Sequence, residues 1–202
     1  MLPESVRIKF SKTGVLKFIS HLDLCRTFSS AVLRAKIPIW YTEGFNPHPK
    51  MVFSLPLSVG TESVCEYMDI KITAPMPFDE IVSRLNSALT PDIKILEAFT
   101  PKMKFREIAY SAYEITPGEK YDLSPLKADT VVITKRTKTK EVEIDVKDRI
   151  KELTEKDKKI YMTLSAGSDD FIKADSLMAL TGCEDYSILR TQIYTKDMKI
   201  FR

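Results

Sequence analysis

The sequence predicts an α+β fold, with a ferredoxin-like sandwich over residues 1–100 followed by a smaller α+β half over residues 101–202. Three observations predict it. Val6, Ile8 and Phe10 alternate with Arg7 and Lys9 at the period of a half-buried strand. Apolar residues recur at helical spacing over 20–35 and again over 78–89. Strand-like stretches fall between and after these helices, so the first half reads strand, helix, strand, strand, helix, strand.

Taken in order, the first strand should show a cationic outer face formed by Arg7 and Lys9. Ser20 and Asp23 open the first helix with a pair resembling a capping box, and Leu22, Cys25, Phe28, Ser29 and Val32 fall on one side of it. Pro38 ends that helix, and Ile39, Trp40 and Tyr41 begin a short second strand. The region from Gly44 to Gly60 reads as an insertion before the third strand, with Met51 to Pro56 extended inside it. Cys65 to Ile72 alternates as the third strand. Phe78, Ile81, Val82, Leu85 and Leu89 mark the second helix, and Asp92 to Phe99 closes the sandwich as the fourth strand.

A boundary falls between Thr100 and Arg106. Ile108 to Ile115 reads as a strand and Pro117 to Pro125 as a loop. Val131 to Thr134 and Val142 to Val146 form a hairpin around the basic tip at 135–140. Ile160 to Leu164 is a further strand, Ala174 to Leu180 a helix stopped by Gly182, and Tyr186 to Tyr194 returns to the sheet.

With 202 residues and 44% hydrophobic side chains, the chain has enough apolar mass for one large core or two small ones, which excludes a disordered class. Its net charge of +3 is unevenly distributed. Residues 6–50 hold eight Lys or Arg against two acids, whereas residues 51–100 hold three against seven. A local field of one sign attracts phosphate even on a nearly neutral molecule. Cys25, Cys65 and Cys183 are odd in number and far apart, which points to a reducing compartment rather than a disulfide framework. No signal-peptide pattern and no membrane-spanning apolar run is evident, so a cytoplasmic location without membrane contact is expected.

The densest functional signal lies within residues 18–50, which contain both histidines, His21 and His48. In the loop Gly44-Phe45-Asn46-Pro47-His48-Pro49-Lys50, each proline fixes its own φ and disfavours helix at the residue before it. Asn46, His48 and Lys50 are thereby expected on a stiff loop suited to a polyanion or a base; its structural alternative is a rigid connector. Arg26, Ser30 and Arg34 recur at four-residue spacing, a polar stripe that either faces solvent or, with Lys12, Lys17 and Lys50, binds a phosphate backbone. Phe45, Trp40 and Tyr41 offer stacking faces for single-stranded RNA, with core packing the expected use of Trp40.

His21 sits in the first helical turn, where the positive end of the dipole favours a neutral imidazole, and Asp23 beside it fits a capping role. His21, Asp23 and His48 are the candidates for a metal or an acid–base site, but no HxxxH or HExxH spacing supports one, and no cofactor is expected. No GxSxG, P-loop or dinucleotide fingerprint marks a catalytic nucleophile or nucleotide pocket, so no catalytic residue is assigned.

With those residues laid out, the chain resembles the radical-SAM-linked protein family, an uncharacterised bacterial family. The resemblance rests on Arg7 to Lys12, on Leu16 to Leu24 around Phe18-Ile19-Ser20-His21-Leu22-Asp23, and on Tyr41 to Lys50. It continues through Pro56-Leu57, Gly60, Ser63 and Glu66 to Asp69. It implies a partner of the radical-SAM type in RNA modification or ribosome-related work. The chain has no CxxxCxxC cluster and cannot hold that chemistry's iron–sulfur centre by itself. The expected function is a non-catalytic module that binds RNA, tRNA or rRNA, through His21, Arg26, Arg34, Phe45, Asn46, His48 and Lys50. The alternatives are a small enzyme or metal protein, and a protein-docking module.

Overall fold

A computed structural model describes residues 3–136, 141–168 and 170–202 as a mixed α+β protein. The chain forms two compact units, Met1–Phe105 with Arg202, and Arg106–Phe201. The first contains β1 (Glu4–Lys12), a 3-10 turn at Gly14–Phe18, α1 (His21–Arg34), β2 (Met51–Phe53), β3 (Thr61–Ile72), α2 (Phe78–Ala88) and β4 (Ile93–Phe99). Strand β1 lies between β4 and β3, antiparallel to both, and β2 pairs antiparallel with β3.

Alternation decides which side of β1 meets the helices. Val6, Ile8 and Phe10 are fully buried and pack with Met68, Ile70 and Ile72 of β3, Ile93 and Ile95 of β4, Leu24, Phe28 and Val32 of α1, and Ile81 and Leu85 of α2. Phe10 and Phe28 meet edge to face at 4.9 Å, and Phe28 meets Phe53 of β2 at 5.7 Å. Each such ring pair adds about 0.5–1.5 kcal/mol to the area it buries.

Two expectations for this unit are corrected. Helix α1 buries Leu24, Phe28, Ala31 and Val32, whereas Leu22 is 59% exposed. A stripe through positions 24, 28, 31 and 32 matches the 3.6 period, and Leu22 lies outside it. Nor is the other side of β1 a free cationic surface. Arg7 is 1% exposed and donates twice to Asp69, from Nε at 2.7 Å and Nη2 at 2.8 Å. Its guanidinium also lies 4.4 Å over the Phe105 ring. Arg7 and Asp69 face each other in the β1–β3 register, and cross-strand pairing draws the charge inward.

The second strand also differs from expectation. Ile39 to Tyr41 forms only isolated bridges, Ile39 with Ile72 and Tyr41 with Pro49, and β2 at Met51–Phe53 supplies the pairing with β3. Ile39 opposite Ile72 and Met51 opposite Ile70 occupy neighbouring same-face positions on β3. The intervening residues are therefore an excursion from one strand edge, and Met51–Phe53 belongs to the sheet rather than to an insertion reaching Gly60.

The second unit contains β5 (Ile108–Pro117), α3 (Ser124–Lys127), β6 (Val132–Arg136), β7 (Glu141–Asp145), β8 (Ile150–Lys156), β9 (Lys159–Ser165), α4 (Ala174–Met178) and β10 (Tyr186–Thr195). Strands β10, β5, β9 and β8 pair in that order, and β6 and β7 form a separate ribbon. Residues 137–140 of the basic tip lie outside the described residues. The core gathers Ile115, Ile160, Met162, Leu164, Leu177 and Ile188. Gly182 at φ 70 takes the left-handed position that ends the 3-10 turn after α4. Strand β8 carries no alternating apolar pattern in the sequence. It enters β9 through Asp157 and Lys158, at φ 53 and φ 60, two left-handed residues in a two-residue hairpin turn.

The Arg7–Asp69 pair supports a stability prediction. Asp69→Ala removes both charge-assisted hydrogen bonds that Asp69 accepts from the buried Arg7, and is expected to cost about 3–5 kcal/mol in urea unfolding. The double variant Arg7→Met, Asp69→Leu should recover most of that loss.

Candidate functional site

The excursion at the β3 edge is held as a clasp by its own hydrogen bonds. Thr42 N–H donates to His48 O at 2.9 Å and Lys50 N–H to Trp40 O at 2.9 Å, pairing the two flanks. The Thr42 hydroxyl accepts from His48 N–H at 3.2 Å and lies 3.1 Å from its Nδ1. Nδ1 also lies 3.2 Å from the Asn46 carbonyl. A carbonyl only accepts, so that contact is a hydrogen bond only when Nδ1 carries the proton.

Gly44 turns the tip at φ 120, a conformation that glycine takes without steric cost. Next to it, Phe45 is fully exposed. Asn46, Pro47, His48 and Lys50 are exposed as well. Behind the clasp, Trp40 is half-buried with the Lys71 ammonium 5.0 Å from its ring, so it serves partly as a platform for a cation rather than as core.

The start of α1 is equally determined by its residues. Ser20 Oγ accepts from Asp23 N–H at 3.1 Å and donates to Asp23 Oδ2 at 2.7 Å. The Ser20 hydroxyl, and then the Arg26 guanidinium 3.3 Å away, hold the Asp23 carboxyl below its ordinary value. Ser20 thus caps the helix, and the Asp23 carboxylate holds the Ser20 hydroxyl in place. His21 rests edge-on against Phe53 at 5.2 Å, and its Nε2 lies 3.6 Å from Cys25 Sγ. Burial pushes the Cys25 thiol up, which disfavours a thiolate nucleophile.

Along the outer side of α1, Asp23, Arg26, Thr27, Ser30 and Arg34 line an open cavity of about 400 Å³. Arg26 and Arg34 stand about 12 Å apart along the helix axis at 1.5 Å per residue. That separation is too long for a single phosphate and suits a chain of them. Both residues are exposed, Arg26 with Nη1 3.3 Å from Asp23 Oδ1 and Arg34 with Nη2 donating to Ala88 O at 2.6 Å.

The structure therefore places the predicted binding residues in two groups within the first unit. Phe45, Asn46, His48 and Lys50 share the clasp, whereas His21, Arg26 and Arg34 share α1. No hydrogen bond joins His21 to His48, and each ring nitrogen contact described above is local to its own element. Among the described residues no group of three or more His, Cys, Asp or Glu is arranged to hold a metal ion. Of the lysines added to the stripe, Lys12 is 2% exposed and reaches the Lys17 carbonyl at 3.4 Å, while Lys17 is half-buried with its ammonium 5.4 Å from the Phe18 ring. Lys12 cannot serve a surface ligand. Thr42, which holds His48, was missed because a threonine six residues ahead of a histidine carries no local signal.

Residues 5–174 match the family described as an uncharacterized protein conserved in bacteria (DUF2344), and the chain belongs to that family. No curated protein matches the sequence.

The cap has a pH signature. Because the fold lowers the Asp23 proton affinity, its contribution is present above the unfolded-state value near 3.8 and is lost as pH falls through the lower folded-state value. Ser20→Ala is expected to lower Tm by about 2–4 °C at neutral pH. In an NMR titration it should also move the Asp23 carboxyl back toward the ordinary range. An unchanged Tm would show that the cap does not anchor α1.

Proposed function

We propose that this DUF2344 protein is a non-catalytic module that binds RNA or presents it to a radical-SAM-type RNA-modifying enzyme. The observation that carries the reading is the open cavity along α1, whose lining holds Arg26 and Arg34 beside Asp23, Thr27 and Ser30. Exposed arginines spaced along one helix suit successive phosphates, each binding by charge-assisted hydrogen bonds in a planar fork. The clasp adds what a single-stranded ligand requires besides charge: an exposed aromatic face at Phe45 and hydrogen-bonding groups at His48 and Asn46.

The strand order β4-β1-β3-β2, with α1 and α2 packed in one core against it, supports a ferredoxin-like reading of the first unit. Three free cysteines suit the reducing cytoplasm. Among the described residues no helix is long and apolar enough to cross a membrane.

A second reading rests on Phe45 itself. A fully exposed phenylalanine on a hydrogen-bonded loop also fits insertion into a pocket of a partner protein.

The two readings separate on one set of measurements. Binding of bulk tRNA or rRNA fragments should weaken steeply with salt. Replacing Arg26, Arg34 and Lys50 together with glutamine should reduce affinity by about tenfold or more and flatten the salt slope by about two. Phe45→Ala should weaken single-strand binding by about 1–3 kcal/mol with little change in slope. Salt-insensitive or absent RNA binding, together with nuclease-resistant capture of a partner that depends on Phe45, would favour docking instead.

A further inference from the structure

The C-terminal ends of α1 and α2 meet at a second cavity of about 390 Å³, lined in part by Arg34, Lys36, Ser83, Arg84 and Ser87. Each helix caps the other. Arg34 Nη2 donates to Ala88 O at 2.6 Å, and Arg84 Nη1 reaches Lys36 O at 3.5 Å while Nη2 pairs with Glu80. The exposed carbonyl ends, ordinarily a negative pole, are thereby met by guanidiniums.

Lys36 is the residue that this capping does not explain. It follows α1 at φ 51, with its own N–H on Leu33 O at 3.1 Å and the N–H of Ile37 on Val32 O at 3.1 Å. This is the Schellman ending, whose left-handed position favours glycine. The Lys36 ammonium has no partner among the described residues. Its Cβ makes the turn less favourable than glycine would, and its side chain ties nothing together. What it supplies is positive charge beside the cavity.

Arg34 lines both this cavity and the one along α1, so the two are neighbours on either side of one side chain. We propose that the cavity between α1 and α2 is a second phosphate subsite, so that a single-stranded RNA backbone passes Arg26, Ser30 and Arg34 and then reaches Lys36 and Arg84. This rests on the RNA reading and names the path of the chain across it. Ser83 and Ser87 supply hydroxyls at the same rim, one helical turn apart. Lys36 then has a function that glycine cannot replace.

The proposal requires stability and binding to move in opposite directions at one residue. Labelled single-stranded uridine homopolymer, titrated by fluorescence anisotropy across a salt series, is the probe. Lys36→Gly is expected to raise Tm by about 2 °C, since it relieves the left-handed position. It should also weaken RNA binding about three- to tenfold and make the salt slope shallower by about 0.7, one phosphate contact on a single strand. Lys36→Arg, which keeps the charge, should retain both affinity and slope, and Arg84→Gln should weaken binding in the same sense as Lys36→Gly. If wild-type protein binds the RNA with its expected salt slope and Lys36→Gly binds it equally well, the subsite is overturned while the α1 reading stands. Wild-type protein that binds no RNA at any salt concentration removes the RNA reading and the subsite together.

Discussion

Strand β1 must be covered on both faces, and the first unit is arranged around that requirement. One face receives the apolar side chains of α1 and α2, which sets where both helices lie. The other carries Arg7, whose charge is tolerated in the interior because Asp69 stands opposite it in the β3 register and Phe105 lies over its plane. A central strand with a basic residue in its middle would otherwise leave either a desolvated charge or an uncovered face. The pairing settles the β1–β3 alignment, since a one-residue slip would bring Arg7 opposite a different residue and turn Val6, Ile8 and Phe10 away from the helices.

From this frame the outward features follow. Once Leu24, Phe28, Ala31 and Val32 face the core, the helical period leaves Arg26, Ser30 and Arg34 on the opposite side of α1. The Ser20 cap fixes where the helix begins and so holds those positions in register with the sheet. Phe53 joins the system from below. Its ring contacts Phe10, Phe28 and His21, so the short strand that closes the clasp and the first turn of α1 are positioned by one aromatic cluster. The clasp adds stiffness of its own through backbone bonds and through the contacts of His48 with Thr42 and the Asn46 carbonyl.

Much of this arrangement was legible in the sequence because it is encoded locally. The limits of α1 and α2, the Ser20–Asp23 cap and the proline-bracketed loop all depend on residues a few positions apart. What was not legible depends on distant partners. The burial of Arg7 requires Asp69, 62 residues away, so a strand with alternating basic residues looked half-exposed. The identity of the second strand depends on which segment β3 accepts, and three residues of strand carry little periodicity. Strand β8 was concealed by its turn. Asp157-Lys158 adopts two left-handed conformations without the glycine that announces such a hairpin, and five of the seven β8 residues are exposed, so no alternating apolar pattern remains. The face of α1 was misjudged by Leu22, an apolar residue that the helical period assigns to solvent.

The double seating of the second strand on β3 has a consequence for how this protein can vary. Ile39 and Met51 are each placed by their own pairing with β3, and the chain between them enters and leaves the sheet at adjacent rungs. The core therefore does not count the residues in the clasp. A change in the length of the segment between them meets the same two anchor points, as a cartridge meets a fixed holder, so it is expected to be absorbed outside the sheet. The clasp is thus the part of this architecture whose length the sheet does not fix.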